Sequence, residues 1–180
     1  MHAGAIAWIS NFFWSKYMAR FLKHLFTPRW RVSSYFSSAD MEEIKQAIAA
    51  SEKKHRAELR FAVEASLEPI HILKKVRGAD RALKVFSDLG VWDTEENNGV
   101  LLYLLLADHD MVILADRGIN NLEGQQTWET ICQEMEKMFR EKKFKDGVLH
   151  GIGRITEVLA RHFPYREGDQ NELSDSPVVL

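Results

Sequence analysis

The sequence predicts a single α/β domain built on a small mixed sheet, and three observations carry that prediction. Gly99–Leu106 and Met111–Ala115 are apolar runs joined only by Ala107-Asp108-His109-Asp110, and so short a link forces an antiparallel hairpin. A strand pattern over Glu58–Val63 is followed by a helical one over Asp80–Leu89 before that hairpin, which makes a βαβ unit with parallel strands. Two long amphipathic patterns then finish the domain.

Residues 5–26 read as an amphipathic helix. Ile6, Trp8, Ile9, Phe12, Phe13, Tyr17, Phe21 and Leu25 form an aromatic face, with Lys16, Arg20, Lys23 and His24 mostly opposite. Such a helix lies in a membrane interface, or docks on the domain or on a partner protein. Met18 also reads as an alternative start. The apolar stretch Ala3–Trp14 has no preceding positive charge and no cleavage site, so the order is wrong for a secretory signal. Pro28 ends the segment, and the serines between Trp30 and Ser38 read as a loop.

Asp40 reads as the cap of the next helix, with Glu43 completing a capping box and Met41, Ile44, Ala47 and Ile48 as its buried stripe to about His55. Glu58–Val63 alternates as a strand. The helix over Asp80–Leu89 ends at Gly90. Leu101–Leu106 is continuously apolar, as in a strand covered on both faces. Trp128 to Phe139 and Val148 to Phe163 repeat at helical spacing. Gly147, Gly151 and Gly153 in the second of these each cost roughly 1 kcal/mol against alanine, which suggests close approach of that helix to the sheet. Residues 166–180 read as a disordered acidic tail. The expected organisation is a helix and loop over 1–37, the domain over 38–165, and the tail.

The 180 residues carry 24 basic and 26 acidic side chains, a net charge of −2, so no global field draws the chain to nucleic acid. The single Cys132 excludes an intramolecular disulfide and a cysteine zinc site, and is compatible with the cytoplasm. No run of about 18 apolar residues spans a bilayer. Phosphate-loop, nucleophile-elbow and metalloprotease motifs are absent, and Gly151-Ile152-Gly153 lacks a third glycine, so no organic cofactor is expected. Asp93–Gly99 resembles a calcium loop, but Leu104 stands where a bidentate glutamate belongs. His71, His109, His150 and His162 read as surface or packing residues, and Cys132 as a small hydrophobe.

The topology points to one polar end. Parallel strands put Glu58 beside Asn97 and Asn98, and the antiparallel return brings Asp116 and Arg117 back to them. Asp93 and Glu95 sit in the feeding loop. Glu58, Asp93, Asn97, Asn98 and Asp116 offer hard oxygen donors suited to Ca²⁺ or Mg²⁺. The same residues also read as turn caps with Arg117 paired to an acid. At the other end Glu64, Glu68, Asp108 and Asp110 read as a solvated acidic surface, in preference to a ligand site beyond the strand ends.

Glu58-Leu-Arg-Phe-Ala-Val-Glu64, Val91-Trp-Asp93, Asn97-Asn-Gly-Val-Leu-Leu102 and Val112-Ile-Leu-Ala-Asp-Arg-Gly118 resemble the TPM domain family over roughly residues 38–163. That family includes thylakoid-lumen and photosystem II repair proteins and many bacterial proteins. Asp116-Arg117-Gly118-Ile119-Asn120 matches its glycine-tyrosine-glycine-leucine-glutamate stretch only in part, and the chain looks like a stand-alone bacterial branch. The resemblance implies a Rossmann-like, three-layer α/β/α sandwich. It also implies divalent-metal binding in some members and phosphatase activity in plant ones. Many relatives carry a signal peptide and a C-terminal membrane helix, and neither is expected here.

Two functions follow. One is a non-catalytic accessory module, metal-stabilised and peripheral at a membrane or in an assembly through residues 5–26. The other is a metal-dependent phosphatase using Glu58, Asp93 and Asp116, which lacks a nucleophile and has Arg117 as its one obvious cation for a phosphoryl group. The first is the expectation.

Overall fold

A computed structural model describes residues 17–180. Residues 5–16, half of the expected aromatic helix, lie outside the described residues. The chain is helical over 17–25 (α1), then forms a short turn of 3₁₀ helix and α2 (Val32–Tyr35). The elements that follow are α3 (Ser38–Glu52), β1 (Leu59–Glu64), α4 (Pro69–Leu73), α5 (Gly78–Asp88), β2 (Val100–Leu105) and β3 (Asp110–Ala115). Then come α6 (Arg117–Asn120), α7 (Gln125–Arg140), α8 (Phe144–His162) and β4 (Val178–Val179).

The sheet order is β3-β2-β1-β4. β1 and β2 are parallel, with Phe61 opposite Leu102, and β2 and β3 are antiparallel, with Leu102 opposite Ile113. Both β1 and β2 are buried along their whole length because helices cover both faces. Leu59, Phe61, Val63, Leu102 and Leu104 pack into one core with α3, α7 and α8. Ala62, Leu101, Tyr103 and Leu105 pack into a second with α4 and α5. This is the three-layer α/β fold expected, but the parallel β1–β2 pair is at the centre of the sheet and the hairpin strand β3 lies at its edge.

Several local expectations are corrected. The α3 cap is Ser37, whose Oγ accepts from the Asp40 N–H at 3.1 Å while the Asp40 carboxylate accepts from the Ser37 N–H at 2.8 Å. The capping box is real but starts three residues earlier, because Ser37 rather than Asp40 has the extended backbone of a cap. The α8 glycines do not approach the sheet. A Cβ on Gly147 would fall 2.5 Å from the Phe139 ring, and one on Gly151 2.3 Å from Met135 Sδ, so the close approach is to α7. Gly153 meets nothing.

The tail read as disordered carries β4. Ala62 pairs with Val178 and Val63 with Val179, in parallel. Composition missed this because the three apolar residues after Pro177 find an open backbone edge, and an edge supplies hydrogen bonds that no sum over side chains counts.

Candidate functional site

Glu58, Gly99 and Asp116 lie side by side across three strands. The Val100 N–H donates to Glu58 O and the Asp116 N–H to Gly99 O, each at 2.8 Å. The Gly118 N–H donates to Asn97 O at 3.0 Å, closing the 96–97 loop over the exit of β3. A side chain at 118 would collide there, with Asn97 O at 2.5 Å and Glu96 O at 2.8 Å from a Cβ. Asn97 itself holds a left-handed backbone, φ 53°, which asparagine tolerates better than most residues.

Asn98 is 1% exposed. Its Nδ2 donates to Arg56 O at 2.6 Å and its N–H to Thr94 Oγ1 at 3.0 Å. Its Oδ1 is buried with no partner. Asp116 caps α6, with Oδ1 accepting from the Arg117 N–H at 2.7 Å. Its Oδ2 is likewise buried and unpartnered. Two acceptor oxygens left dry at one end of the sheet are costly, at roughly 1–3 kcal/mol each.

The other three expected donors, Glu58, Asp93 and Asn97, do not share that setting. The Glu58 carboxylate accepts the Glu172 and Leu173 N–H groups of the tail at 3.0 and 3.1 Å. Burial raises its carboxyl, against the opposing pull of those amides. Asp93 is exposed in its loop. Among the described residues Arg117 meets no acid: its Nε donates to Asn97 Oδ1 at 2.8 Å. The ion pair here is Arg56 with Glu96, at 2.6 Å. Among the described residues, no three His, Cys, Asp or Glu side chains group around a metal position. A cation here would be held by a mixed set of amide, carboxylate and backbone carbonyl oxygens, as hard cations accept.

At the opposite end Glu68 is exposed as expected, but Glu64, Asp108 and Asp110 are not a solvated acidic surface. Glu64 is buried at 6% exposure, bound by Arg81 Nε at 2.7 Å and Nη2 at 3.1 Å, and it accepts from the Tyr103 hydroxyl at 2.7 Å. Asp108 is gripped by α1. Arg20 Nη2 and Nε reach its Oδ2 at 2.8 and 3.0 Å, and the same guanidinium donates to Val76 O at 2.8 Å. Burial alone would raise the Asp108 carboxyl, but the adjacent His24 and Arg20 hold it at about 2. His24 Nδ1 accepts the Leu67 N–H at 2.9 Å, and its Nε2 stands 3.1 Å from Asp108 Oδ1, too poorly aligned for a good hydrogen bond. Asp110 presses on Gly78 at the start of α5, and its carboxyl is raised by burial and by Asp108.

α1 therefore docks by a mixed face and not by one of the two expected. Arg20 and His24 point inward and Phe21 packs on the second core, while Met18, Leu22 and Leu25 are exposed. Sequence reasoning missed Arg20, His24, Arg81 and Tyr103 as partners. For Arg81 and Tyr103 the signal was Glu64 at the end of a largely apolar strand, which demands a buried counter-charge; Arg20 and His24 meet Asp108 in the hairpin turn, for which the sequence carried no such signal.

Two of the remaining histidines are paired locally. His150 Nε2 meets Glu134 at 2.7 Å and His162 Nε2 meets Glu123 at 2.8 Å. Cys132 is half-buried, and burial pushes its thiol up to about 11, well away from a reactive thiolate. No helix among the described residues is long and apolar enough to cross a membrane.

Comparison with known proteins agrees with this architecture. The solution structure of BA42 protein from the psychrophilic bacterium Bizionia argentinensis is similar at 30% identity and TM-score 0.71, over 79% of this chain and 94% of that one. The N-terminal domain of a P. gingivalis protein shares the fold at 19% identity and TM-score 0.58, over 78% of this chain and 95% of that one. No curated protein matches. The TPM domain model matches residues 32–158, which takes in α2, α3, β1–β3 and nearly all of α8, and the chain belongs to the TPM domain family.

Proposed function

We propose that this chain is a non-catalytic TPM-type binding module that takes Ca²⁺ or Mg²⁺ at the Asn98–Asp116 end of its sheet. The observation that carries the reading is the pair of buried, unpartnered acceptors Asn98 Oδ1 and Asp116 Oδ2. The 96–97 carbonyls beside Gly118 supply further oxygen at the same end. A bound divalent ion would cross-link the turn before β2 to the turn after β3, and so tie the edge strand β3 to the centre of the sheet. The site reads as structural because the residues around it are spent on local hydrogen bonds: Glu58 on the tail amides, Asn98 on Arg56 O, Arg117 on the Asn97 side chain.

Thermal unfolding in metal tests this. An ion at 100 times its dissociation constant adds about 2.7 kcal/mol, which in a chain of this size raises Tm by about 5–10 °C. Wild type should show that rise in millimolar Ca²⁺ or Mg²⁺, and Asp116→Asn should lose most of it. A wild-type Tm that stays flat in millimolar metal removes the proposal.

The module reaches its place of work through the N-terminal segment, at a membrane surface. Met18, Leu22, Leu25 and Phe26 are exposed on and just after α1, Leu73 is exposed on α4, and Lys23 and Lys74 stand among them. Apolar residues interspersed with lysine suit an anionic interface.

A further inference from the structure

The family match ends at residue 158, and β4 lies beyond it. Within the matched span β1 is therefore an edge strand, and among the described residues the strand paired to its outer side is β4 of the tail. A bare edge presents unpaired N–H and C=O groups that accept any extended chain.

The tail holds that edge largely through backbone. The Leu180 N–H donates to Val63 O at 3.0 Å, Arg29 Nη2 donates to Val179 O at 2.6 Å, and Glu58 clamps the Glu172 and Leu173 amides. Val178 and Leu180 pack on one core and Val179 on the other. Main-chain pairing with side chains alternating into two faces is how strand-adding domains bind peptides. The tail fills the edge incompletely. It pairs with Ala62 and Val63, two of the six β1 residues. On the strand just before them, Arg60 is 8% exposed, and its Nε and Nη1 have no partner, although Asp175, Glu52 and Glu58 surround it. A buried guanidinium with two idle donors marks an acceptor that the tail does not supply.

We propose that the outer edge of β1 is a peptide-binding groove, held closed in cis by the tail, and that its partner is an extended acidic peptide with an apolar end, pairing parallel to β1. Its carboxylate would meet Arg60, and its alternating apolar residues would take the places of Val178 and Leu180. The tail is tethered, so its effective concentration is in the millimolar range, and a free peptide competes only when the tail is weakened. The proposal uses the β1 edge and stands or falls separately from the cation site.

The test is fluorescence anisotropy of a labelled peptide carrying the sequence of residues 166–180, added to the full chain. Val178→Pro removes an N–H that a strand needs and should bind the peptide at least tenfold more tightly than wild type does. Glu58→Gln in that background should weaken binding about tenfold. A folded Val178→Pro chain that binds no peptide, or binds a scrambled one equally, overturns the proposal. Amide exchange on wild type decides independently of that variant's folding. The Leu180 and Leu173 amides should exchange at least 100-fold faster than those of β2, whereas equal protection would make β4 a permanent strand and defeat the idea.

Discussion

At the residue scale, the most consequential side chain outside the candidate site is His55, which is fully buried. The Ala57 N–H donates to its Nδ1 at 3.3 Å, so the proton sits on Nε2, which faces Ser51 Oγ at 2.7 Å. Ser51 Oγ is in turn 2.9 Å from Thr156 Oγ1, tying α3 to α8. A second proton would have to displace the Ala57 amide. Burial is the main cause that lowers His55 from 6.5 to about 4 in the fold. The neutral form is the folded one, so this contribution is complete above pH 6.5 and is lost as pH falls from there toward 4. The span corresponds to about 3 kcal/mol. Urea midpoints of wild type should drop across that window, and those of His55→Gln should drop much less. Parallel pH profiles for the two would contradict the assignment.

At the element scale, α8 packs on α7 through glycine. Alanine in place of Gly147 would drive a methyl into the rigid Phe139 ring, and overpacking of that kind costs about 1–3 kcal/mol. Gly153 lies on the same helix with open space around it, so alanine there should stabilise by about 0.5–1 kcal/mol. The two substitutions are chemically identical and should move the chemical-denaturation midpoint in opposite directions. A gain at both positions would mean that the helices pack further apart than described. The three glycines were visible in the sequence as an unusual cost. Their partner was not, because helical periodicity gives the buried face and not the element that fills it.

At the scale of the whole molecule, two segments outside the family match close the domain on two sides. α1 covers the carboxyl ends of the parallel strands through Arg20 and His24, where ligands of open α/β sheets usually bind. The tail covers the β1 edge. Docking by Arg20 and His24 turns Met18, Leu22, Leu25 and Phe26 outward. Flotation with vesicles of phosphatidylcholine and phosphatidylglycerol should retain the full chain, and Leu22→Glu with Phe26→Glu should lower the bound fraction at least fivefold. Equal flotation of the double variant would end the membrane reading for the described part of this segment.

The division between what was legible and what was not follows from the range of each interaction. Strand type, the hairpin and the parallel order of β1 and β2 could be read because they depend on local apolar patterning and on a link too short for any other connection. The shared polar end of Asn97, Asn98 and Asp116 could be read for the same reason, since strand direction alone places them. The partners of Glu58 and Glu64 could not. They lie 114 residues away in the tail and 17 residues away on α5, and a charge on a strand says only that something must neutralise it. The sequence by itself determined the layers, the hairpin and the end of the sheet where oxygen donors gather. That α1 docks by Arg20, Phe21 and His24, that the tail is a strand, and which acceptors stay unpaired came from the tertiary structure, because each depends on groups distant in sequence meeting where water is excluded.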